Sequence, residues 1–160
     1  LLLVRHAESD FNHADFKDFD RPLNTKGKSD AKLMANQLLK NNINLDYIIS
    51  SGANRAYSTS KLIADRIKYF IDSIDLNNDI YHSSEQTMLN IINNIPNKYN
   101  SVMIAGHNPT FHYLSQLLSN ETISEFPTCS MFSLEFDVDS WSEVDRGKKQ
   151  FMIYPKLFKK

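Results

Sequence analysis

The sequence predicts an α/β chain, a three-layer α/β/α sandwich around a mostly parallel, mixed sheet. Three observations carry that prediction. Short apolar runs, Leu1 to Val4 and Val102 to Ala105, stop abruptly at polar turn residues, as strands buried on both faces do. Between such runs lie longer segments whose apolar residues recur at i, i+3, i+4 and i+7, the spacing of one buried helical face. All four glycines, Gly27, Gly52, Gly106 and Gly147, fall at junctions between these segments.

In chain order, the first strand ends at Arg5-His6 and is followed by a polar, aromatic-studded loop from Asp10 to Arg21. Pro22 to Thr25 lead into a helix from Lys26 to Leu39, with Ala31, Met34, Ala35, Leu38 and Leu39 on its buried face and Asn41-Asn42 ending it. Leu45 to Ser50 reads as a second strand, with Ser51-Gly52 as its turn. A second helix spans Asn54 to Phe70 and buries Ala56, Leu62, Ile63, Ile67 and Phe70. A short strand at Ile80-Tyr81 comes next. Ser83 or Ser84 then caps a helix from Glu85 to Ile95, which Pro96 stops. Ser101 to Ala105 forms the third main strand, and Asn108-Pro109 opens a helix to Leu118 with proline in its first turn. Met131 to Phe136 and Phe151 to Tyr154 are two further strands, separated by a polar turn around Gly147.

The bulk numbers set limits. A chain of 160 residues has the size of one domain, 1–160, with no repeat, linker or low-complexity stretch. Eighteen Lys+Arg against 19 Asp+Glu leave a net charge of −1, so nothing points to nucleic acid or to a membrane surface. No apolar run approaches the roughly 18 residues of a transmembrane span. No signal peptide is visible, and the expected home is the cytoplasm. The chain begins inside a strand without methionine, which implies that a residue or two precedes Leu1. The single cysteine, Cys129, allows neither an internal disulfide nor a cysteine-based zinc cluster, and no metal or other cofactor is expected.

Two strand-end histidines, His6 and His107, stand beside arginines. Either alone is better explained as a satisfied structural residue. Together with Arg5 they point to phosphoryl chemistry, because an unprotonated imidazole can attack phosphorus in line and carry the phosphoryl group covalently. Neighbouring arginines favour that neutral form by lowering the histidine pKa. The second histidine can then stabilise phosphoryl oxygens or handle a proton. Arg5, Arg55 in the first turn of the second helix, and Arg21 in the loop before Pro22 offer planar forks of N–H donors suited to a PO₃ group. Arg21 equally suits a surface salt bridge. The helix after Asn108-Pro109 would aim its positive end at the same place.

Other signals fail on inspection. Asp137-Val138-Asp139-Ser140 resembles an aspartyl-phosphatase motif but sits too near the carboxyl terminus to support the sheet such a motif needs, so a polar hairpin turn explains it. Cys129 has no arginine six positions on. Asp75 to Asp79 lacks the glycine and terminal glutamate of a calcium loop. His107 and His112 are five apart, which does not place both on one helical face for zinc. His13 and His82 read as solvated.

The Val4-Arg5-His6-Ala7-Glu8-Ser9 stretch with the distant Gly106-His107-Asn108-Pro109 resembles the histidine phosphatase superfamily, also called phosphoglycerate mutase-like. More narrowly, the chain looks like a SixA-type phosphohistidine phosphatase. DRPLNTKG, SSGANRAYSTSKLIA, IYHSSEQTMLNII, VMIAGHNPTFHYLSQLL and EFPTCSMFSLEF with FMIYPKLF occur in the expected order. Ala7 stands where the superfamily usually has glycine, and Gly52 where proline is frequent; neither change removes a reacting group.

The resemblance implies a phosphoglycerate mutase-like fold. It also implies a metal-independent phosphatase with His6 as the phosphorylated nucleophile and Arg5, Arg55, His107 and Arg21 completing the phosphate pocket. Ester-directed members place a carboxylic acid over the leaving oxygen, and SixA-like proteins have no evident counterpart. Glu85 is the candidate acid here, against the plainer role of a first-turn helix carboxylate. Glu8 and Asp10 could orient His6 or simply face water, and Asn12 sits where ester-directed relatives carry a phosphate-loop asparagine. The implied substrate is a phosphohistidine-bearing protein, such as a phosphorelay or phosphotransfer domain, acted on by a monomer. The competing readings are a small-molecule phosphomonoester phosphatase of the same superfamily and a non-catalytic phosphate- or protein-binding module.

Overall fold

The computed structural model describes residues 1–11 and 14–160. The expectations for Asn12 and His13 lie outside the described residues. Six strands form one mixed sheet: β1 (Leu2–Arg5), β2 (Tyr47–Ser50), β3 (Asp75–Leu76), β4 (Val102–Gly106), β5 (Met131–Glu135) and β6 (Lys148–Ile153). They lie in the order β3-β2-β4-β1-β5-β6. The first four of that order run parallel, whereas β5 is antiparallel to β1 and β6 to β5.

Four helices cover the two faces: α1 (Thr25–Lys40), α2 (Asn54–Ile67), α3 (Glu85–Asn93) and α4 (Thr110–Ser119). Strand alternation sorts the core between them. Leu2, Val4, Ile48, Met103 and Ala105 point to the α1/α2 side, where they meet Ala31, Met34, Ala35, Leu38, Ile63 and Ala64. Leu3, Ile49, Val102 and Ile104 point to the α3/α4 side and meet Met88, Ile92, Phe111, Leu114 and Leu118. The three-layer sandwich is therefore the observed architecture. No helix among the described residues is long and apolar enough to cross a membrane.

Several boundaries differ from the sequence-based expectation. The short strand expected at Ile80-Tyr81 is instead β3, a few residues earlier. Ile80 lies in a 3-10 turn, Asn78–Ile80, started by the Asn77 side chain accepting from the Asp79 amide, and is fully buried in the α3/α4 core. An edge strand of two exposed residues carries no apolar pattern to read, while the buried isoleucine beside it does. Helix α2 stops at Ile67 because Lys68 turns into the left-handed region (φ 64°), which leaves Phe70 outside the helix and 69% exposed. Leu39, expected on the buried face of α1, is also exposed. Strand β6 begins at Lys148 because backbone pairing with β5, interrupted by a bulge near Ser133/Leu134, extends it through polar residues.

Helix α1 is pressed against the segment after His6. Asn24 caps it, accepting from the Gly27 amide, and also gives its own backbone N–H to the Glu8 carbonyl. A Cβ at Gly27 would lie 2.1 Å from that carbonyl oxygen. Helix propensity alone predicts that Gly27→Ala gains about 1 kcal/mol. The close approach reverses the sign, and urea denaturation should show a loss of about 1–3 kcal/mol at unchanged slope.

Candidate active site

The site assembles at the carboxyl edge of the parallel strands. β1 and β4 pair in register, with Arg5 opposite Gly106, and the His6 amide donates to the Gly106 carbonyl at 3.0 Å. The residues that follow each strand, His6 and His107, therefore emerge side by side. Their ring centroids are 5.3 Å apart and the rings are tilted by 52°. β2 ends next to β4, with Ser50 opposite Ala105, so the turn into α2 opens at the same edge. That turn delivers Arg55, whose Nε donates to His6 Nε2 at 3.3 Å.

His6 has a defined tautomer. Its Nδ1 is 2.7 Å from the Ala7 carbonyl oxygen, which can only accept, so Nδ1 carries the proton and Nε2 keeps its lone pair. The Ala7 amide in turn donates to Thr59 Oγ1 at 2.9 Å, and that hydroxyl donates to the Arg55 carbonyl. The turn carrying His6 is thus tied to the helix carrying Arg55. Burial pushes the His6 pKa down to about 3, with the bond to the Ala7 carbonyl opposing and the charges of Arg55, Arg5 and Arg21 adding to the shift. His107 is lowered to about 3 chiefly by burial, helped by His6 and Arg55 and opposed by Asp18. Both imidazoles are neutral at neutral pH.

The three arginines are held differently. Arg55 is buried and gives Nη1 to the Asp18 carbonyl (2.8 Å) and Nη2 to the Asp18 carboxylate (3.2 Å). Arg21 meets the same carboxylate through Nε at 3.0 Å and spends Nη1 on Ser9 Oγ and the Asp10 carbonyl. Arg5 gives Nη1 to the Phe126 carbonyl at 2.8 Å, while its Nε is buried with no hydrogen-bond partner among the described residues. The Phe126 carbonyl also takes the Asn108 side-chain amide at 3.0 Å, tying the β4–α4 turn to Arg5. The turn after β4 thus faces the site, although Pro109 precedes α4 as its cap and does not lie in the first turn.

Asp18 and Tyr81 belong to this cluster, and the sequence reading missed both. The Tyr81 hydroxyl donates to the Asp18 carboxylate, and the Tyr81 ring lies edge-on to His107 with centroids 5.5 Å apart. The hydrogen bonds from Tyr81 and Arg21 and the charge of Arg55 hold the Asp18 carboxyl well below the usual range, although desolvation opposes them. Asp18 lies in none of the matching segments, and Tyr81 lies in IYHSSEQTMLNII with no role assigned to it there. The run of arginines left without an assigned counter-charge was the available signal.

The two candidate carboxylates lie elsewhere. Glu8 does not orient His6: its side chain takes hydrogen bonds from Asn24 and Lys26. Glu85 opens α3 behind the Ser84 cap, and among the described residues it has no hydrogen-bond or ion-pair partner. That position matches a first-turn helix carboxylate, and no contact to either histidine supports an acid role. Cys129 is wholly buried, with its thiol pushed well above the ordinary range. Among the described residues no three His, Cys, Asp or Glu gather to hold a metal ion.

The buried histidines make stability depend on pH. Below its ordinary pKa of 6.5 an unfolded histidine takes up a proton, whereas folded His6 and His107 do so only near pH 3. Their contribution is therefore complete above 6.5 and is lost as the pH falls from there toward 3. Between about pH 7 and pH 5 the loss is on the order of 2 kcal/mol for each histidine. Urea midpoints across that range should fall with acid, and less steeply in His6→Asn; a flat profile would contradict neutral burial.

Residues 1–80 match the model of the histidine phosphatase superfamily (branch 1). An uncharacterised chloroplastic protein of Arabidopsis thaliana is 30% identical over 153 residues, covering 90% of this chain and 69% of that protein. Among solved structures, the protein histidine phosphatase SixA complexed with tungstate superposes with a TM-score of 0.86 at 23% identity, covering 99% and 98% of the two chains. A putative phosphohistidine phosphatase SixA from Agrobacterium tumefaciens gives a TM-score of 0.79 at 27% identity over 96% of each chain. The chain belongs to the histidine phosphatase superfamily, a phosphatase by family and of the SixA type by fold.

Proposed function

We propose that the enzyme hydrolyses phosphohistidine on a protein partner, without a metal ion, through a phospho-His6 intermediate. The observation that carries this reading is the set of three donors on the Asp18 carboxylate. Arg21, Arg55 and Tyr81 all give it hydrogen bonds, which favours the ionised form, so it is placed as their counter-charge and not as a proton donor to a leaving group at neutral pH. An alkoxide leaving from a phosphate ester needs such a proton. A phosphohistidine protonated on its other ring nitrogen leaves as neutral imidazole and needs none.

In the first step the His6 Nε2 lone pair forms a bond to phosphorus while the substrate P–N bond breaks, its electron pair returning to the departing imidazole. The Ala7 carbonyl, accepting from Nδ1–H, stabilises the positive charge that develops on the His6 ring. Arg55 releases Nε2 and turns its N–H groups to the phosphoryl oxygens, joined by Arg5, Arg21 and His107. Water then attacks phosphorus as the P–Nε2 bond breaks, its protons departing with the phosphate and the bonding pair returning to His6 Nε2. The likeness to the Agrobacterium tumefaciens protein, described as a putative phosphohistidine phosphatase, supports the same substrate class.

A protein partner, such as a phosphorelay or phosphotransfer domain, is supported by the surface beside the pocket. Phe11 is 85% exposed, and the Arg21 guanidinium stacks on its ring at 4.7 Å. An exposed aromatic next to a phosphate-binding arginine offers apolar contact to a folded substrate docked over the pocket.

His6→Ala should abolish turnover and acid-labile labelling from ³²P-phosphohistidine protein, and full activity should persist in EDTA. Retained activity in His6→Ala would remove the proposal. Phe11→Ala should raise KM for a phosphohistidine protein several-fold, roughly 1 kcal/mol, and leave hydrolysis of free phosphohistidine unchanged. In Glu85→Gln, phosphohistidine turnover should be intact. A strong loss confined to phosphate esters would favour the ester reading.

A further inference from the structure

Ser51 is fully buried at the end of β2, where it is not exposed to solvent. Its amide is taken by the Ala105 carbonyl at 3.0 Å, which fixes the turn against β4. Its hydroxyl has two partners. The Ala53 amide, which can only donate, gives its N–H to Ser51 Oγ at 3.2 Å. His107 Nε2 lies 2.8 Å from the same oxygen. A hydroxyl has one proton and two lone pairs; Ala53 uses a lone pair, and among the described residues His107 Nε2 is the acceptor within reach of the buried proton, which is otherwise left unpaired. Nε2 is then the acceptor, and the single proton of neutral His107 resides on Nδ1. Nδ1 is buried and has no hydrogen-bond partner among the described residues.

We propose that Ser51 is a positioning residue that sets the tautomer of His107, so that Nδ1–H is the donor offered to the phosphoryl oxygens. The proposal rests on the phosphoryl-transfer reading of the site only for its functional consequence; the tautomer itself does not. A donor hydrogen bond to Nε2 also opposes protonation there, because the lone pair it uses is the one a proton would take. Ser51 therefore adds to burial in favouring a neutral His107 that donates from Nδ1.

The charged and titratable groups facing His107 are few. His6 approaches from the end of β1 and Arg55 from α2, and both disfavour a positive His107. Asp18 approaches from the 3-10 turn at Asp18–Asp20 and favours it, while His82, ahead of α3, disfavours it. The Tyr81 ring meets His107 edge-on. None of these groups is placed to distinguish the two ring nitrogens of His107 by a hydrogen bond. Only the Ser51 hydroxyl does so among the described residues.

Histidine-selective ¹⁵N labelling tests this without any substrate, so its outcome is separate from that of the phosphohistidine reading. With His107 signals assigned by comparison with His107→Asn, the wild-type protein should show a pyrrole-like Nδ1 and a pyridine-like Nε2. In Ser51→Ala the Nε2–H tautomer should appear, and the His107 titration midpoint should rise by about one pH unit, the worth of one hydrogen bond. The kcat/KM for a phosphohistidine protein should fall about tenfold. Ser51→Thr, which keeps the hydroxyl, should retain the wild-type ring signals. An Nε2–H tautomer in the wild type, or unchanged ring signals and midpoint in Ser51→Ala, would overturn the proposal.

Discussion

The parallel pairing of β1 with β4 is the constraint on which the rest depends. With Arg5 opposite Gly106, the next residue on each strand is a histidine, and the backbone bond from His6 to Gly106 fixes their relative height. A one-residue slip would turn every side chain of β1 to the opposite face of the sheet. The register is held by the core: Leu3 must face the α3/α4 layer while Leu2 and Val4 face α1 and α2. Hydrophobic burial thus positions the imidazoles indirectly, by forbidding any other alignment of the strands that end in them.

The second constraint is electrostatic. Three guanidiniums converge on a pocket that also holds two buried imidazoles, and the protein resolves this crowding in two ways. The imidazoles stay neutral, since desolvation and the nearby arginines both act against a proton. One carboxylate, Asp18, bridges Arg21 and Arg55. This aspartate is half exposed, so it carries only part of the desolvation cost that a fully buried ion would. Because it sits on a loop and not on a strand, the same contacts draw that loop over the strand ends, where Arg21 can reach Ser9.

The hydrogen bonds of the site also determine which nitrogen does what. The Ala7 carbonyl accepts from His6 Nδ1, leaving Nε2 as the nucleophilic atom. Around His107 the logic runs the other way, because a hydroxyl that already accepts from the Ala53 amide has its own proton to give to Nε2. Both rings therefore carry their protons on Nδ1. In His6 that proton is spent on the protein, and in His107 it has no partner among the described residues.

Much of this was legible in the sequence. Apolar runs ending at His6 and His107, helical spacing between them and glycines at the junctions identified the layers, because burial leaves a periodic imprint on composition. Arg5, His6, Arg55 and His107 could be picked out because each follows directly on such a run or opens the helix behind it. Features without periodic burial were not legible. β3 has two exposed residues and exists through backbone pairing with β2. The end of α2 follows from a left-handed Lys68. The sequence by itself determined which residue types arrive at the edge of the sheet, since that depends on local pattern. Tertiary structure alone decided their charge states and partners: Asp18 joining Arg21 to Arg55, Tyr81 on Asp18, Ser51 on His107. All but Asp18–Arg21 join residues far apart in the chain, and only the folded packing brings those within hydrogen-bonding range.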